Sequence, residues 1–433
     1  MGEPLRIGVA GLGTVGAGVL RILERNGGLL TARGGRPMHV AAVSARDRTK
    51  DRGVDLSGAR WLDDPLAMVD DPSVDVVVEV IGGADGVAKT LVERALAAGK
   101  PVVTANKALL AEHGGQLAAA AAAGGTTLGY EAAVAGGIPV IKSVREALAA
   151  NRISSLHGIL NGTCNYILTE MRQTGRDFAD VLGEAQALGY AEADPTFDVD
   201  GIDAAHKLAI LAGLAFNGTV RFADVHVEGI RKISAEDIAF AEELGFRIKL
   251  LGIARAEDGE IELRVHPALV RRTAPIAAVE GVFNAVVVVG DFVGEVMLEG
   301  AGAGAGPTAS AIVGDLLDIA RGIRVPVLGT DAGTLQPLAV RKIDRHRGAY
   351  YLRLMVKDRP GVIAAISAHM RDHDISLESL IQRGRSSTDA VPVVITTHET
   401  SEAAIRAVLG KIRQESAVVE EPHVIRIEPF NGR

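Results

Sequence analysis

The chain has 433 residues, of which 48% are hydrophobic and 23% charged, a composition typical of a globular protein with two or three cores. A net charge of −8 and an aromatic content of 3% argue against the basic, base-stacking surface of a nucleic-acid-binding protein. The single cysteine, Cys164, excludes an internal disulfide framework and a cysteine-based metal cluster. No apolar run reaches membrane-spanning length and no signal peptide precedes the first strand, so we expect a cytoplasmic protein without membrane or nucleic-acid partners.

The first 26 residues predict a strand, a glycine-rich turn and a helix. Residues 5–10 form a short run that is apolar apart from Arg6, GLGTVG follows, and AGVLRILERN continues at helical spacing. The three glycines stand in GxGxxG register, which permits a tight turn and close approach of a pyrophosphate to the helix N-terminus. We therefore predict that a dinucleotide contacts the residues of this turn: Gly11, Leu12, Gly13, Thr14, Val15 and Gly16.

The end of the next predicted strand, residues 39–44, bears on the choice of cofactor. NAD enzymes usually have an acid here that accepts hydrogen bonds from the ribose hydroxyls. This chain has Arg46, with Arg48 and Lys50 close behind. Arg46 therefore favours a 2′-phosphate, and hence NADP, whereas Asp47 among the bases keeps NAD possible. The alternative is a solvated basic loop.

Apolar strands alternate with helices up to about residue 140, which predicts an α/β fold with a Rossmann-type, doubly wound parallel sheet. Predicted strands at 74–81 and 101–104 enclose a helix at 89–98. Lys107 follows the second of these strands, at the sheet edge where ligands bind, so it is a candidate contact for the nicotinamide or for a substrate carboxylate.

Glu131 lies in a run of small and apolar residues, 127–141, that turns at Pro139. A carboxylate beside turned carbonyl groups can bind a hard monovalent cation. The alternative is a buried acid that accepts hydrogen bonds from backbone amides. The residues by themselves favour this alternative.

The pattern from residue 141 to 321 predicts an α+β domain with a mixed sheet covered by helices. We expect His157 and Cys164 to be packed core residues. The glycine-rich stretch 300–306 precedes a helix at 307–321 that we expect to pack back on the first domain. The other predicted elements are strands at 153–160, 249–256, 261–266, 284–290 and 294–299, and helices at 177–188 and 202–216.

The densest group of charged residues lies between Ala185 and Lys207. Asp203 and Lys207 are four residues apart on an otherwise apolar predicted helix, so they share a face. A surface ion pair is the alternative, but buried lysine is rare unless it is paired. Further carboxylates precede the pair in a predicted loop at 190–202, so the group suggests a polar ligand held beside a proton donor. These carboxylates are Glu192, Asp194, Asp198 and Asp200.

The last part of the chain divides into a linker and a small domain. Residues 322–347 are rich in glycine, proline and polar residues, which predicts a linker. Residues 348–433 follow the order βαββαβ of a ferredoxin-like domain, with one of its strands at 376–384. No cluster of acids and bases is evident there, so we expect a binding or regulatory domain.

With these motifs in place, the whole chain resembles the monofunctional bacterial homoserine dehydrogenases that carry a C-terminal ACT domain. The most specific match is Ala185, Gly189, Tyr190, Asp194, Pro195, Asp198, Gly201, Asp203 and Lys207. Supporting matches are TANK at 104–107, YEAAVAGGIP at 130–139, NGTCNYIL at 161–168, GAGAGPTASA at 302–311 and DRPGV at 358–362.

The resemblance implies NAD(P)-dependent interconversion of L-homoserine and L-aspartate 4-semialdehyde, in the synthesis of threonine, methionine and isoleucine. It implies an NAD(P)-binding domain at 1–140, a substrate-binding and dimerisation domain at 141–321, and an ACT domain at 348–433. It further implies threonine as an effector and a homodimer or homotetramer. The alternatives are a catalytically silent sensor of NADP and an amino acid, and an NAD(P) oxidoreductase for another amino or hydroxy acid.

Residue roles follow from the same resemblance. Lys207 is implied as the proton donor and Asp203 as its assistant. Implied substrate contacts are Glu192, Asp198 and Lys107, and further implied cofactor contacts are Lys107, Gly189 and Gly304. A sodium ion is implied at the Glu131 carboxylate and the backbone oxygens of Val134, Gly136 and Ile138.

Overall fold

The computed structural model describes residues 2–383 and 390–430. Their strands form a six-stranded sheet, an eleven-stranded sheet and a two-stranded pair. The predicted fold class, a Rossmann-type domain followed by a mixed-sheet domain and a ferredoxin-like domain, is confirmed. Within these two described ranges, no helix combines the length and apolar character needed to cross a membrane.

The first unit is a parallel sheet in the order β3-β2-β1-β4-β5-β6, with helices between the strands. The central strands are buried, which explains their nearly continuous apolar sequences. The strands are β1 (Leu5–Ala10), β2 (Met38–Ser44), β3 (Arg60–Trp61), β4 (Val76–Glu79), β5 (Val102–Thr104) and β6 (Leu128–Gly129). The helices are α1 (Thr14–Arg25), α2 (Gly27–Gly34), α3 (Ala67–Asp70), α4 (Val87–Ala97) and α5 (Lys107–Ala123).

The second unit has five long strands in the order β13-β12-β7-β10-β11, each antiparallel to its neighbours. Its strands are β7 (Ile153–Ile159), β8 (Gly218–Thr219), β9 (His226–Val227), β10 (Phe246–Glu257), β11 (Glu260–Arg271), β12 (Phe283–Gly290) and β13 (Gly294–Ala301). Its helices are α6 (Val140–Lys142), α7 (Gly162–Thr174), α8 (Phe178–Ala187), α9 (Thr196–Val199), α10 (Ile202–Ala215), α11 (Ala235–Glu243) and α12 (Ala305–Arg321).

Helix α9 corrects the prediction of a loop over 190–202. Pro195 is the residue before the helix, and Asp194 accepts a hydrogen bond from Thr196 N at 3.1 Å. Both features favour one turn of helix. Four residues are too few to produce a helical period, so the sequence pattern could not reveal α9.

Helix α12 returns the chain to the first unit, where it packs along α1. A Cβ added to Gly18 of α1 would lie 2.9 Å from the Ala305 carbonyl oxygen of α12. The two helices therefore approach each other through a glycine. The boundaries at 140 and 321 stay a prediction.

The third unit has the strand order β19-β15-β17-β16 of a ferredoxin-like sheet. Its elements are β15 (Arg347–Lys357), α13 (Val362–Arg371), β16 (Leu377–Gln382), β17 (Ala390–Thr397), β18 (Thr400–Ser401), α14 (Glu402–Ile412) and β19 (His423–Glu428), preceded by the short strand β14 (Gln336–Pro337). The predicted strand at 376–384 ends in Gly384, which lies outside the described residues.

The sheets of the second and third units are continuous. Strand β19 pairs with β11 in parallel, with Ala268 opposite Arg426. Two ion pairs cross this joint: Arg264 contacts Glu428, both buried, and the buried Arg426 contacts the partly exposed Glu228. The third unit is thus hydrogen-bonded directly to the sheet of the second.

Candidate active site

Two helix N-termini from different units meet at one carboxylate. Lys107 is the first residue of α5, and Asp203 lies in the first turn of α10. The Lys107 Nζ lies 2.7 Å from Asp203 Oδ1, and Lys207 Nζ lies 2.7 Å from Asp203 Oδ2. The structure therefore brings together the predicted proton donor, its assistant and the lysine from the end of β5.

The ammonium group of Lys207 is buried. It donates to Asp203 Oδ2 and, at 2.7 Å, to the Leu160 carbonyl oxygen. Burial lowers the pKa of Lys207, and the charge of Asp203 only partly opposes this. Burial by itself raises the pKa of Asp203, but the two ammonium groups outweigh it and hold this pKa well below its usual value. The site therefore combines a permanent anion with a lysine that releases its proton more readily than usual.

Asn161 is the residue of this cluster to which the sequence assigned no role. Its Nδ2 donates to Asp203 Oδ2 at 2.9 Å and to Asp198 Oδ1 at 2.8 Å. Its Oδ1 accepts from Cys164 N at 2.8 Å, because Asn161 is the N-cap of α7. An Asn-Gly pair just before an apolar helical run is an N-cap signal, but the contacts with the two carboxylates depend on tertiary structure.

Asp198 and Glu192 differ in their surroundings. Asp198 is partly buried on α9, where burial raises its pKa. Glu192 is exposed between α8 and α9, where its backbone oxygen accepts from Gln186 Nε2 at 3.0 Å. Its carboxylate forms no hydrogen bond with any residue that the structure describes. The ring of Phe197 also lies close to Lys107, with its centre 5.4 Å from Nζ.

The glycine-rich turn leaves an open surface at the N-terminus of α1. Gly11 has φ +106°, and a Cβ there would lie 2.5 Å from the Val80 carbonyl oxygen. A Cβ on Gly16 would lie 2.1 Å from the Gly11 oxygen, whereas one on Gly13 would meet nothing within 4 Å. Gly11 and Gly16 are thus needed for the turn itself. The exposed position of Gly13, at a helix N-terminus without an acid in its first turn, suits a pyrophosphate.

The loop after β2 is tied to the glycine-rich turn by Arg52, which sequence reasoning also missed. Arg52 Nε donates to the Leu12 carbonyl oxygen at 3.0 Å. The carboxylate of Asp47 accepts from Thr49 N at 2.8 Å and from Thr49 Oγ1 at 2.7 Å. Asp47 is thus engaged within its own loop, while Arg46 is exposed beside it.

The other two predicted cofactor glycines lie at helix ends. Gly189 follows α8 with φ +76°, and Gly304 immediately precedes α12 with φ +116°. Both are exposed. Because α12 packs along α1, Gly304 opens the helix that lies next to the glycine-rich turn.

Glu131 is buried, and both of its carboxylate oxygens accept backbone hydrogen bonds. The donors are Ile141 N at 2.8 Å and Lys142 N at 2.9 Å. This is the arrangement that the residues by themselves favoured. Burial raises the pKa of Glu131 to about 7, so a cation beside it would stabilise the ionised form.

The backbone that follows Glu131 is buried and sharply turned. Ala135 has φ +51°, and the Ile138 oxygen accepts from Val140 N at 2.7 Å. Among the described residues, none donates a hydrogen bond to the carbonyl oxygens of Val134 or Gly136. A carboxylate with buried carbonyl oxygens is a donor set that suits sodium. Within the described ranges, no group of three or more His, Cys, Asp or Glu side chains is arranged to hold a metal.

Three family models match successive parts of the chain. They are the NAD-binding domain of homoserine dehydrogenase at residues 11–131, homoserine dehydrogenase at 139–317 and the ACT domain at 350–417. The homoserine dehydrogenase of Neisseria gonorrhoeae is 46% identical over 99% of this chain and 100% of its own. The chain belongs to the homoserine dehydrogenase family.

Solved homoserine dehydrogenases have the same fold. The crystal structure from Thiobacillus denitrificans matches with a TM-score of 0.93 and 47% identity, over 99% of this chain and 100% of that one. A hyperthermophilic archaeal homoserine dehydrogenase in complex with NADPH matches with a TM-score of 0.63 and 26% identity, over 74% of this chain and 99% of its own. As a homoserine dehydrogenase, the chain is an NAD(P)-dependent oxidoreductase that acts on a CH–OH group.

Proposed function

We propose that Lys207 protonates the substrate oxygen in the reduction of L-aspartate 4-semialdehyde and takes the proton back when L-homoserine is oxidised. The observation that carries this role is a buried ammonium group with a lowered pKa, 2.7 Å from Asp203. When bound, the nicotinamide supplies or accepts the hydride. An alkoxide that forms at the substrate carbon needs a cation and then a proton, and Lys207 offers both.

Asp203 orients the two lysines and stays ionised throughout. Its carboxylate accepts from Lys207, and Lys107 lies 2.7 Å from its other oxygen. Lys107 is the more exposed lysine, with 35% of its side chain accessible, so we assign it to the substrate carboxylate and the nicotinamide side of the cofactor. Asp198 and Glu192 are our candidates for the substrate ammonium group, which needs an anion. Glu192 has to turn toward the site when substrate binds.

We assign the cofactor preference to NADP, with NAD as the weaker cofactor. Arg46 is exposed two residues after Ser44, whose backbone oxygen accepts from Gly11 N at 2.9 Å, while Asp47 is engaged with Thr49. An arginine can bind the 2′-phosphate that distinguishes NADP from NAD. The archaeal relative in complex with NADPH supports this assignment. Gly189 and Gly304 are assigned to the walls of the same cofactor site.

We also propose a sodium site, threonine inhibition and a homo-oligomer. Glu131, Val134, Gly136 and Ile138 would hold the sodium ion and stiffen the segment between the first two units. The ACT match at 350–417 supports an amino-acid effector, and threonine is an end product of the pathway. A cytoplasmic location fits the free thiol of Cys164, which reducing conditions preserve.

The test of this function is homoserine-dependent reduction of NADP by the purified full-length chain at alkaline pH. We expect turnover with NADP, weaker turnover with NAD, and inhibition by millimolar threonine. Binding of NADP without turnover on homoserine would contradict the enzyme assignment and favour a silent sensor. Turnover on another amino or hydroxy acid in place of homoserine would favour the second alternative.

A further inference from the structure

Glu79, the last residue of β4, is a buried carboxylate outside the group of charged residues around Asp203. It forms no ion pair with any residue that the structure describes. A fully buried acid without a cationic partner is rare in proteins, because removing its charge from water is costly. An apolar residue would complete the apolar strand at lower cost. The reason for a carboxylate at this position therefore lies in its hydrogen bonds.

The Glu79 carboxylate connects the ends of two neighbouring strands. Its Oε1 accepts from Ile81 N at 2.7 Å and from Gly82 N at 3.0 Å, in the loop that follows β4. Its Oε2 accepts from Thr104 Oγ1 at 2.6 Å, at the end of β5. Strands β4 and β5 are parallel, with Glu79 opposite Thr104. One side chain therefore holds both the loop after β4 and the end of β5.

Asn106 closes these contacts into a ring of hydrogen bonds. Its backbone N donates to Thr104 Oγ1 at 2.9 Å, and its Nδ2 donates to the Gly83 oxygen at 2.8 Å. Its Oδ1 accepts from Leu109 N at 3.1 Å, because Asn106 is the N-cap of α5. The ring thus joins the loop after β4 to the start of α5, whose first residue is Lys107.

The sheet order gives the loop after β4 a place beside the nicotinamide half of the cofactor. In such sheets a dinucleotide binds beyond the carboxyl ends of the strands, across the point where the strand order reverses, which here lies between β1 and β4. The glycine-rich turn follows β1, and Arg46, assigned to the adenosine end, follows β2. We therefore expect the nicotinamide end to face the loops after β4 and β5.

The loop after β4 has an exposed backbone that needs an anchor. Gly82 and Gly83 are exposed, and both have φ +91°. A Cβ on Gly82 would meet nothing within 4 Å, so no packing holds the loop at this point. Glycine can adopt many backbone conformations. The hydrogen bonds to Glu79 and Asn106 are what select one of them.

We propose that Glu79 is a positioning residue, which sets the place of Lys107 relative to the nicotinamide. One arm of its carboxylate holds the loop on the cofactor side, and the other arm acts through Thr104 on the start of α5. Hydride transfer needs the reacting groups in one geometry, and an error of about 1 Å can cost about a hundredfold in rate. The inference rests on the proposed role of Lys107 toward substrate and cofactor.

The arm that leads to Lys107 is tested by Thr104→Val and Thr104→Ser. Valine keeps the shape of the side chain but leaves Glu79 without this donor and Asn106 N without its acceptor. Serine keeps the hydroxyl group. We expect kcat/KM for homoserine to fall about tenfold or more in Thr104→Val and to stay within about threefold of the parent in Thr104→Ser. Both should bind NADPH with an affinity within about threefold of the parent's, because Glu79 still holds the loop.

The arm that holds the loop is tested by titration of the full-length chain with NADPH, followed by its fluorescence. Glu79→Ala releases both arms, so we expect NADPH to bind at least about tenfold more weakly. Glu79→Gln keeps an oxygen for the loop amides but offers no acceptor to the Thr104 hydroxyl, so it should behave like Thr104→Val. The matched control is Thr90→Val, which loses a hydroxyl hydrogen bond to the Gly86 oxygen on exposed α4 and should keep parental kinetics and affinity.

Two results would overturn the proposal, whatever the melting temperatures of the variants. One is a kcat/KM in Thr104→Val that is parental or equal to that of Thr104→Ser, with rates expressed per NADPH-binding site. The other is parental NADPH affinity in Glu79→Ala. A parent that binds NADPH but does not turn over homoserine would contradict the enzyme assignment instead, and the titration of Glu79→Ala would still decide the role of the loop.

Discussion

Asn161 donates to Asp203 at 2.9 Å, and the direction of that amide is fixed by the helix that Asn161 begins. The amide oxygen accepts from Cys164 N, so the NH₂ group faces the two carboxylates. One side chain therefore caps α7 and bridges Asp198 and Asp203. The positions of these two carboxylates therefore depend on the position of α7 in the second unit.

Substitution of Asn161 separates these two tasks. Asn161→Ser keeps an N-cap oxygen but cannot reach the carboxylates, so we expect kcat/KM for homoserine to fall about tenfold or more with a melting temperature close to the parent's. Asn161→Asp keeps the cap and places a third carboxylate beside Asp198 and Asp203. The added negative charge raises the pKa of a carboxyl group in this cluster. The acid limb of its pH–rate profile should move to higher pH. Parental kinetics in Asn161→Ser would show that the bridge has no catalytic effect.

Alanine substitutions at two glycines of the cofactor turn should affect different properties, stability in one case and NADP affinity in the other. Gly16→Ala forces a Cβ against the Gly11 oxygen, so we expect a loss of about 1–3 kcal/mol in the free energy of unfolding, measured by urea titration. Gly13→Ala has space for its Cβ and should keep the parental stability. It should nevertheless bind NADP at least about tenfold more weakly, because the Cβ stands where the pyrophosphate approaches. Parental NADP affinity in Gly13→Ala would contradict the assignment of this turn.

Cofactor preference should depend on Arg46. We expect Arg46→Ala to raise the KM for NADP about tenfold or more, because a charge-assisted contact with the 2′-phosphate is lost. The KM for NAD, which lacks that phosphate, should change less than twofold. Arg25→Ala, an exposed arginine at the far end of α1, is the matched control. An unchanged KM for NADP in Arg46→Ala would assign Arg46 to the solvated loop of the alternative interpretation.

Sodium should stabilise the protein more at alkaline than at acid pH. Because burial raises the pKa of Glu131 from 4.5 to about 7, the folded chain keeps a proton there that the unfolded chain has released between these values. The contribution of Glu131 to the free energy of unfolding is therefore greatest below pH 4.5. It falls as the pH rises from 4.5 to about 7 and stays low above that. Sodium binds the ionised form and should recover the lost stability.

The measurement is the melting temperature in sodium chloride and in choline chloride at equal ionic strength. We expect a rise in sodium of about 3 °C or more at pH 8 and a smaller one at pH 6. Glu131→Gln should remove both the response to sodium and its pH dependence. The same response in Glu131→Gln as in the parent would place any sodium effect elsewhere.

The fold was predictable because its long elements have clear periods. The buried strands β1 and β4 are short runs of mostly apolar residues, and Asp203 and Lys207 share a helix face at a spacing visible in the sequence. The α9 helix was missed because one turn is too short to have a period. The pairing of β19 with β11 was missed because the side chains of a strand do not record which strand lies beside it.

The site was only partly predictable for a related reason. The approach of Lys107 to Asp203 joins the first unit to the second, and no local pattern reports such a contact. The roles of Asn161 and Arg52 depend on where their helix and loop are folded. The surroundings of Glu131, in contrast, could be predicted from nearby sequence. Its apolar neighbours and turned backbone favoured a buried acid that accepts from backbone amides, and the structure shows these hydrogen bonds.

The central claim is that Lys207 is the proton donor, and Lys207→Met tests it most directly. Methionine keeps the length and apolar stem of the side chain but removes the ammonium group. The measurement is kcat for homoserine-dependent NADP reduction, with NADP affinity determined on the same sample and Lys342→Met, an exposed lysine, as the control. We predict a kcat lower by about a hundredfold or more with NADP affinity retained. A kcat within a few fold of the parent's, with the control unchanged, would contradict the account.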